Sequence, residues 1–368
     1  MCRPYATPLH PPLLYQKPDK PGINALPVKR PNVVKLREQL IPLIIDLAVV
    51  LVFLPNATNS RMDIFLQQIV NGLVLGSIYA LVALGYTMVY GLLGLINFAH
   101  GEVVMVGAMV ALSVINFGLA NGWPLPLAVL LATASAMLCC MALGWLIERV
   151  GYRPLRHAPR LAPLISAIGI SIILQQLMML IWGSTYRPFP ALFNTEPHVV
   201  LGASITDLQI LIIVLAAATM GGLMLLVQRT RFGRAMRATA ENPAIATLMG
   251  VNTNRVIALT FMLGSALGAL AGVMVSANYA IAHFSMGFML GLKAFTAAVL
   301  GGIGNLAGAV VGGLLLGLIE ALCSGYISDL TGGMFGSNYR DVFAFLVLIL
   351  VLIFRPSGLM GEKVAERA

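Results

Sequence analysis

Long apolar segments separated by short polar breaks recur along most of this 368-residue chain, and they limit its possible folds more than any other feature. Hydrophobic residues make up 59% of the chain and charged residues 10%, against roughly 45–50% and about 25% in soluble globular proteins. The polar side chains are too few to cover a surface that faces water. Much of the chain must therefore face lipid. Soluble enzymes, disordered scaffolds and fibrous proteins are excluded.

From residue 62 onward, the apolar segments have the lengths expected of membrane-spanning helices. They predict an all-α fold, a polytopic transmembrane helix bundle with about eight to nine spans, some of them broken or re-entrant. The predicted spans are 64–95 with a break near Gly85, 101–119, 125–147, 161–182, 208–228, 255–281, the broken pair 287–300 and 306–323, and 340–354. Glycines at small-xxx-small spacing between 301 and 317 predict close helix packing.

Arginines are concentrated in two of the connecting loops. They are Arg149, Arg153, Arg156 and Arg160 in the first loop, and Arg229, Arg231, Arg234, Arg237 and Arg255 around the second. Because cytoplasmic loops are rich in Lys and Arg, both loops are predicted to be cytoplasmic, the loop 183–207 external and the C-terminus cytoplasmic. The net charge of +9 is therefore interpreted as a positive inner face, and a nucleic-acid partner is not indicated.

Residues 1–61 differ from the rest. The first 40 residues hold seven Lys or Arg against two acids and many prolines, which predicts an extended, basic arm. The apolar run 41–55 that follows contains Asp46 and is short for a span. It could be a weak extra span, a signal-like segment, or part of an extension that the mature protein lacks and that precedes a start at Met62. The predicted domains are thus 1–61 and the transmembrane domain 62–368.

The loop 229–255 between two predicted spans carries the clearest local pattern. Asn242 can cap a helix that begins at Pro243, and Gly250 suits the left-handed residue after its last turn. A helix of about seven residues is not stable alone, so it needs a surface on which to dock. An ordinary cytoplasmic loop with one helical turn is the alternative.

Polar residues inside the apolar sequence mark a candidate path. Asn97, His100 and Glu102 lie together between two spans, where ionisable groups normally face a protein interior or a water-filled path. A plain cytoplasmic turn is the alternative. Residues 300–311 resemble 93–104 at six of twelve positions, which suggests two related broken helices. The candidate path residues are Asn97, His100, Glu102, Asn305 and Glu320.

Lys293 and Glu320 lie in or near the second broken element. They could pair across it, because a lone charge at that depth is costly. The alternative is that each reaches toward an opposite membrane surface.

Catalytic and cofactor motifs are missing from the sequence. It has no Gly-Lys dipeptide, and hence no P-loop for ATP, and neither H-E-x-x-H nor G-x-S-x-G. We therefore expect no catalytic residue, no metal site and no cofactor in this chain. Any ATP-driven motor would belong to another subunit.

Four motifs make the chain recognisable. They resemble segments of the H-type permease subunits of bacterial ABC importers for branched-chain amino acids. The motifs are GLLGLINFAHGE at 91–102, FGRAMRATAENPAIATLMGVNTNRVIALTF at 232–261, AVLGGIGNLAGAVVGGLLLGLIE at 298–320 and RPSGLMG at 355–361. The resemblance covers Met62 to the C-terminus.

The resemblance implies a multi-pass protein of the bacterial inner membrane that moves Leu, Ile or Val. Its partners would be a second, M-type permease, two cytoplasmic ABC ATPase subunits that bind ATP and Mg²⁺, and a periplasmic amino-acid-binding protein. It also makes the short helix a coupling helix that contacts the ATPase. The residues implied in this contact are Arg237, Glu241, Asn242, Pro243, Ala244, Met249 and Gly250.

Two other functions stay open at this point. One is an ATP-independent transporter or channel, in which His100, Glu102, Lys293 and Glu320 would carry protons. The other is the same type of permease for urea or amides.

Overall fold

The computed structural model describes residues 59–361, apart from 157, 160, 193–196, 201, 335 and 356. The predictions for the basic arm and the apolar run 41–55 lie outside the described residues. The helices in chain order are α1 (Asn59–Leu93), α2 (His100–Ala120), α3 (Leu125–Leu146), α4 (Leu161–Trp182), α5 (Asp207–Arg229), α6 (Arg231–Glu241), α7 (Pro243–Leu248), α8 (Thr253–Tyr279), α9 (Met286–Gly301), α10 (Leu306–Leu330) and α11 (Arg340–Phe354).

The predicted all-α membrane bundle is confirmed. In the described part of the chain, seven helices are long and apolar enough to cross a membrane, namely α1, α2, α3 with its continuation to Leu155, α4, α5, α8 and α10. Helices α9 and α11 have 16 and 15 residues. At 1.5 Å per residue they are about 22–24 Å long, which is shorter than the hydrocarbon layer. With these two, the membrane elements agree with the predicted number of spans.

Helices α1 and α10 pack against each other through glycines. A Cβ atom added to Gly313 would lie 2.5 Å from the Ala80 Cα, and one added to Gly317 would lie 2.2 Å from the Gly76 nitrogen. The residue numbers run in opposite directions along the contact, so the helices are antiparallel. Small residues allow this close approach in lipid, where there is no hydrophobic drive between helices. The predicted role of the glycines in packing is confirmed.

Replacing Gly313 by alanine is expected to destabilise the bundle by about 1–3 kcal/mol, because the added methyl overlaps the α1 backbone. Gly221→Ala in α5 is the matched control, since an added Cβ there meets nothing within 4 Å. The control variant should unfold at or above the wild-type temperature, because alanine favours a helix over glycine. Thermal unfolding in detergent measures both, and equal midpoints for the two variants would contradict the packing role.

The break predicted near Gly85 is wrong, because α1 is continuous through this residue. A Cβ at Gly85 would lie 2.2 Å from the His100 Nε2, so the glycine makes room for a side chain of α2. The chain breaks between α1 and α2 instead. There Gly94 has a φ of +63°, and the Asn97 Oδ1 accepts a hydrogen bond from the Ala99 nitrogen at 3.2 Å.

The second break, between α9 and α10, lies where the sequence predicts it. Gly302 and Gly304 have φ values of +110° and +97°, and the Asn305 Oδ1 accepts a hydrogen bond from the Gly308 nitrogen at 3.1 Å. Both breaks thus combine a glycine of positive φ with an asparagine that accepts a bond from a backbone nitrogen at or just before the start of the next helix. Ile96 and Ile303, equivalent in the sequence match, line the same small cavity.

Two small antiparallel sheets, which the sequence analysis did not predict, lie at one end of the bundle. Strand β1 (Arg187–Pro188) pairs with β4 (Ile281–Ala282), and β2 (His198–Val200) pairs with β3 (Ala203–Ile205). Helix α5 leads from this sheet end to α6 and α7, and α8 returns from α7 to the sheets. The bundle therefore has a sheet end and, opposite it, an α7 end.

Candidate functional site

Three side-chain caps define the segment between α5 and α8. The Thr230 hydroxyl accepts a hydrogen bond from the Gly233 nitrogen at 3.1 Å, and the Asn252 Oδ1 accepts one from the Arg255 nitrogen at 3.1 Å. The Asn242 Oδ1 accepts bonds from the next two free backbone nitrogens at 3.0 and 3.1 Å. These caps satisfy N–H groups that helix starts leave unpaired. The predicted short helix is confirmed, although α7 ends one residue earlier, at Leu248.

Helix α7 presents an apolar surface to the outside of the chain. Leu248 is 86% exposed and Met249 80% exposed, and Ile245 is also exposed. Ala246 faces inward and is 3% exposed, and the Val251 nitrogen donates to the Ala246 carbonyl at 3.0 Å. Two large apolar side chains in a helix of six residues and a third directly after it are therefore exposed together, which is typical of a docking surface.

Helix α6 attaches this segment firmly to α5. A Cβ at Gly233 would lie 1.9 Å from the Val227 carbonyl oxygen, so the two backbones touch. The Arg237 guanidinium also donates to the Val227 carbonyl. Helix α6 was not predicted as a separate helix, although Thr230 is a cap of the same type as Asn242. Helix α7 is thus connected to α5 through α6, and directly to α8.

Of the other implied coupling residues, Glu241, Pro243 and Ala244 are exposed around the start of α7. Gly250 has a φ of +82° and follows the helix. The predicted coupling residues are thus exposed in and around α7, and their contact with an ATPase stays a prediction. The large side chains of Ile245 and Leu248 were missed, because their exposure depends on which face of α7 packs inward.

The first three predicted path residues lie close together but are enclosed by protein. Asn97, His100 and Glu102 are all buried. The His100 ring contacts Tyr86 edge-on at 4.8 Å, and the Glu102 Oε1 accepts a hydrogen bond from the Ser171 hydroxyl at 3.3 Å. The cavity beside them that Ile96 and Ile303 line measures about 10 Å³. Their role in a path stays a prediction.

Glu320 lies at the centre of a buried charge network. It is 1% exposed, and its carboxylate accepts hydrogen bonds from the Lys293 Nζ at 2.7 Å and the Tyr79 hydroxyl at 2.8 Å. The Lys293 Nζ also lies 2.7 Å from an oxygen of Asp341, and the Arg340 Nε lies 3.3 Å from Glu320. The structure thus favours the pairing of Lys293 with Glu320 over the alternative that they reach opposite surfaces.

The network forms one wall of a cavity of about 220 Å³ at the sheet end. Its lining is largely polar and consists of Gln68, Asn71, Val74, Leu75, Gln209, Asn278, Tyr279, Glu320, Ala321, Ser324 and Arg340. Five helices contribute to it, so a ligand in this cavity would contact α1, α5, α8, α10 and α11. Glu320 was predicted from the sequence as a site residue, whereas the Arg340 and Asp341 side chains at the start of α11 were not.

Asn305 lies far from Glu320, so the predicted path residues do not form one site. The two are fifteen positions apart on or next to α10, which is about 22 Å at 1.5 Å per residue. The Asn305 Nδ2 instead donates to the Met360 carbonyl at 2.9 Å. The nitrogens of Leu359 and Met360 donate to the Leu300 and Gly301 carbonyls, each at 2.9 Å. Residues 357–361 of the RPSGLMG motif therefore close the second helix break as a strap.

Comparison with protein-family models matches residues 68–352 to the branched-chain amino acid transport system permease component. The chain belongs to this family. The match extends from α1 into α11 and so contains both helix breaks, the charge network and α7. Members are transport subunits of the membrane, and this chain is accordingly a multi-pass membrane protein.

Two relatives from this family match this chain over nearly their whole length, and a more distant one over about two thirds of its length. The high-affinity branched-chain amino acid permease BraD of Pseudomonas aeruginosa is 48% identical over 308 residues, which cover 82% of this chain and 98% of that protein. LivH of Escherichia coli K12 is 47% identical, over 82% of this chain and 97% of that protein. LsrC of Enterobacter sp. 638, an autoinducer 2 import permease, is 31% identical over 68% of this chain and 69% of that protein.

Metal ligands do not cluster in the described ranges. No group of three or more His, Cys, Asp or Glu side chains lies close enough to hold a metal ion there.

Proposed function

We propose that this chain forms half of a translocation path for Leu, Ile and Val in a bacterial inner membrane. Its proposed partners are an M-type permease, two cytoplasmic ABC ATPase subunits and a periplasmic amino-acid-binding protein. The substrate rests on the names of the BraD and LivH relatives, which are high-affinity branched-chain amino acid permeases at 47–48% identity. ATP and Mg²⁺ would bind only to the ATPase subunits.

The exposed apolar surface of α7 is the observation that carries the proposal. The side chains of Leu248 and Met249 are largely exposed to water in the isolated chain. Burying such side chains in an interface stabilises a complex by about 1.5–3 kcal/mol each. We propose that α7 docks in a groove of one ATPase subunit. Closure of the ATPases on ATP would then push α7 toward the membrane.

The two connections of α7 supply the mechanism. Arg237 and Gly233 tie α6 to the end of α5, and Asn252 begins α8 four residues after Leu248. A push on α7 would tilt α5 and α8 together. Both helices line the cavity at the sheet end, through Gln209 and Asn278. The tilt would therefore change the shape of this cavity, and hydrolysis would reset it.

The same arrangement gives the proposed orientation. The α7 end carries α6, α7 and the C-terminal strap, and the flanking loops hold most of the arginines. Positive charge favours the cytoplasmic side. We place the α7 end and the C-terminus in the cytoplasm, and the sheet end with its cavity toward the periplasm.

Leucine uptake into proteoliposomes tests the proposal. Vesicles with the complete complex, ATP and loaded binding protein should accumulate radiolabelled leucine, and vesicles with this chain alone should not. Uptake by this chain alone would overturn the proposal in favour of the ATP-independent transporter. The substrate is tested separately: uptake of urea, amides or autoinducer 2 in place of leucine by the complete complex would keep the mechanism and replace the substrate.

A further inference from the structure

A basic pocket lies at the α7 end of the bundle, beside the start of α8. It has a volume of about 290 Å³ and is lined by Trp145, Glu148, Arg149, Arg153, Asn252, Asn254, Arg255 and Ala258. Arg149 comes from the wide helical turn that continues α3, Arg153 begins the short 3₁₀ turn that follows it, and Arg255 comes from the first turn of α8. Three arginines from the end of α3 and the start of α8 therefore line one space.

The positive charge of this pocket is not neutralised by the described residues. Its one carboxylate, Glu148, is buried and forms an ion pair with Arg156. The Arg156 guanidinium also donates to the Asn254 Oδ1 at 2.7 Å, so it holds one wall of the pocket. Among the side chains that the structure describes, Arg149, Arg153 and Arg255 have no acidic partner within 4.0 Å. A net charge of about +3 thus remains for a ligand.

The surroundings place the pocket at the edge of the membrane. Leu146, Val150 and Leu259 directly follow three of its lining residues in the sequence and are exposed apolar side chains, as expected of residues that face lipid tails. Trp145 is half exposed at the rim, with the Arg149 guanidinium 5.9 Å from the centre of its ring. Tryptophan and arginine are typical of the level of the lipid headgroups.

We propose that this pocket binds the phosphoryl headgroup of an anionic phospholipid, with Arg149, Arg153 and Arg255 as its charged ligands and Asn252 and Asn254 as polar neighbours. A phosphodiester offers acceptors that arginine binds with strong, charge-assisted hydrogen bonds. Basic pockets between membrane helices on the cytoplasmic side are suited to such headgroups. The apolar rim gives the acyl chains of the same molecule a surface to follow.

The position of the pocket gives the bound lipid an effect on transport. Asn252 caps α8 and comes three residues after Met249. A headgroup held between α3 and α8 would link the moving end of α8 to the neighbouring span. Anionic lipid would then set how easily α7 moves α8. This effect rests on the proposed function, whereas the binding itself does not.

Native mass spectrometry of the purified chain, titrated with cardiolipin, phosphatidylglycerol or phosphatidylcholine, tests the binding. The wild type should retain the two anionic lipids in preference to phosphatidylcholine. The variant Arg149→Gln/Arg153→Gln/Arg255→Gln should lose this preference by about tenfold or more, because each removed charge weakens attraction to an anionic headgroup. Lysine at the same three positions should restore part of it.

The matched control is Arg229→Gln/Arg231→Gln/Arg234→Gln, which removes three exposed arginines at the same end but outside the pocket. It should keep the anionic preference. Equal loss in both triple variants, or unchanged retention in the pocket variant, would overturn the proposal. If the pocket variant keeps the lipid but loses binding to the ATPase, the true occupant is an acidic surface of the ATPase. That result would overturn the proposal as well.

Inorganic phosphate provides a second arm of the experiment. Retention of phosphate by the wild type but not by the pocket variant, without any preference for anionic lipid, would keep the phosphoryl site and assign it to soluble phosphate. The lipid and phosphate titrations need neither a substrate nor a partner subunit. The lipid site can therefore be disproved while the proposed transport function holds. Equally, the transport function can be disproved while the lipid site holds.

Discussion

Replacing Gly250 by proline is expected to reduce ATP-driven leucine uptake to the background seen without ATP, while the protein still inserts into the membrane. Gly250 has a φ of +82°, whereas proline requires about −65°. Proline would also remove the N–H that donates to the Thr247 carbonyl at 3.0 Å. The turn between α7 and α8 would therefore be rebuilt, and a push on α7 would no longer reach α8.

Gly122→Pro is the matched control for this variant. Gly122 also has a positive φ, +74°, and its nitrogen donates to the Leu119 carbonyl at 3.1 Å just after α2. An added Cβ meets nothing within 4 Å at either glycine. The control should keep most of the uptake, because it lies at the sheet end. Uptake by Gly250→Pro at the wild-type level with ATPases bound would contradict the coupling role.

Removing Glu320 is expected to cause the largest loss of stability of any single charge in the described bundle. In Glu320→Ala, the Lys293 ammonium and the Arg340 guanidinium must share the Asp341 carboxylate as their acidic partner among the described residues. Breaking a buried ion pair from one side costs about 3–5 kcal/mol, because the remaining charge stays in a poor solvent. Thermal unfolding in detergent should show this loss as a clearly lower midpoint.

Two further variants make this prediction specific. Lys293→Met/Glu320→Leu removes both charges, leaves Arg340 near Asp341 and should recover much of the lost stability. Asp207→Ala breaks the exposed pair with His198, which should cost about 0–1 kcal/mol. A Glu320→Ala midpoint as high as that of Asp207→Ala would show that the network does not stabilise the fold.

Local features of this protein were predictable because the signals are local. The cap at Asn242, the first-turn Pro243 and the left-handed Gly250 lie within nine residues and determine one turn of helix without help from other parts of the chain. The second helix break was predictable for the same reason, since Gly302 and Gly304 need φ values that other residues rarely adopt.

Features that depend on facing surfaces were not predictable in this way. Gly85 was predicted to break a helix, but it instead makes room for the His100 side chain. A sequence pattern cannot distinguish a glycine that breaks a helix from one that allows a close contact. Arg340 and Asp341 belong to the network around Glu320 only because α11 begins beside α10. The exposure of Leu248 likewise depends on Ala246 being the residue of α7 that packs inward.

The sequence by itself determined the class of the fold, because a chain this apolar must hydrogen-bond its backbone within helices in lipid. It also determined where the helices end, through caps and glycines that act over a few residues. Only the tertiary structure decided which polar groups meet: the Lys293–Glu320 pair, the arginine pocket beside α8 and the strap at 357–361. These contacts join positions far apart in the chain, and the packing of the helices brings them together.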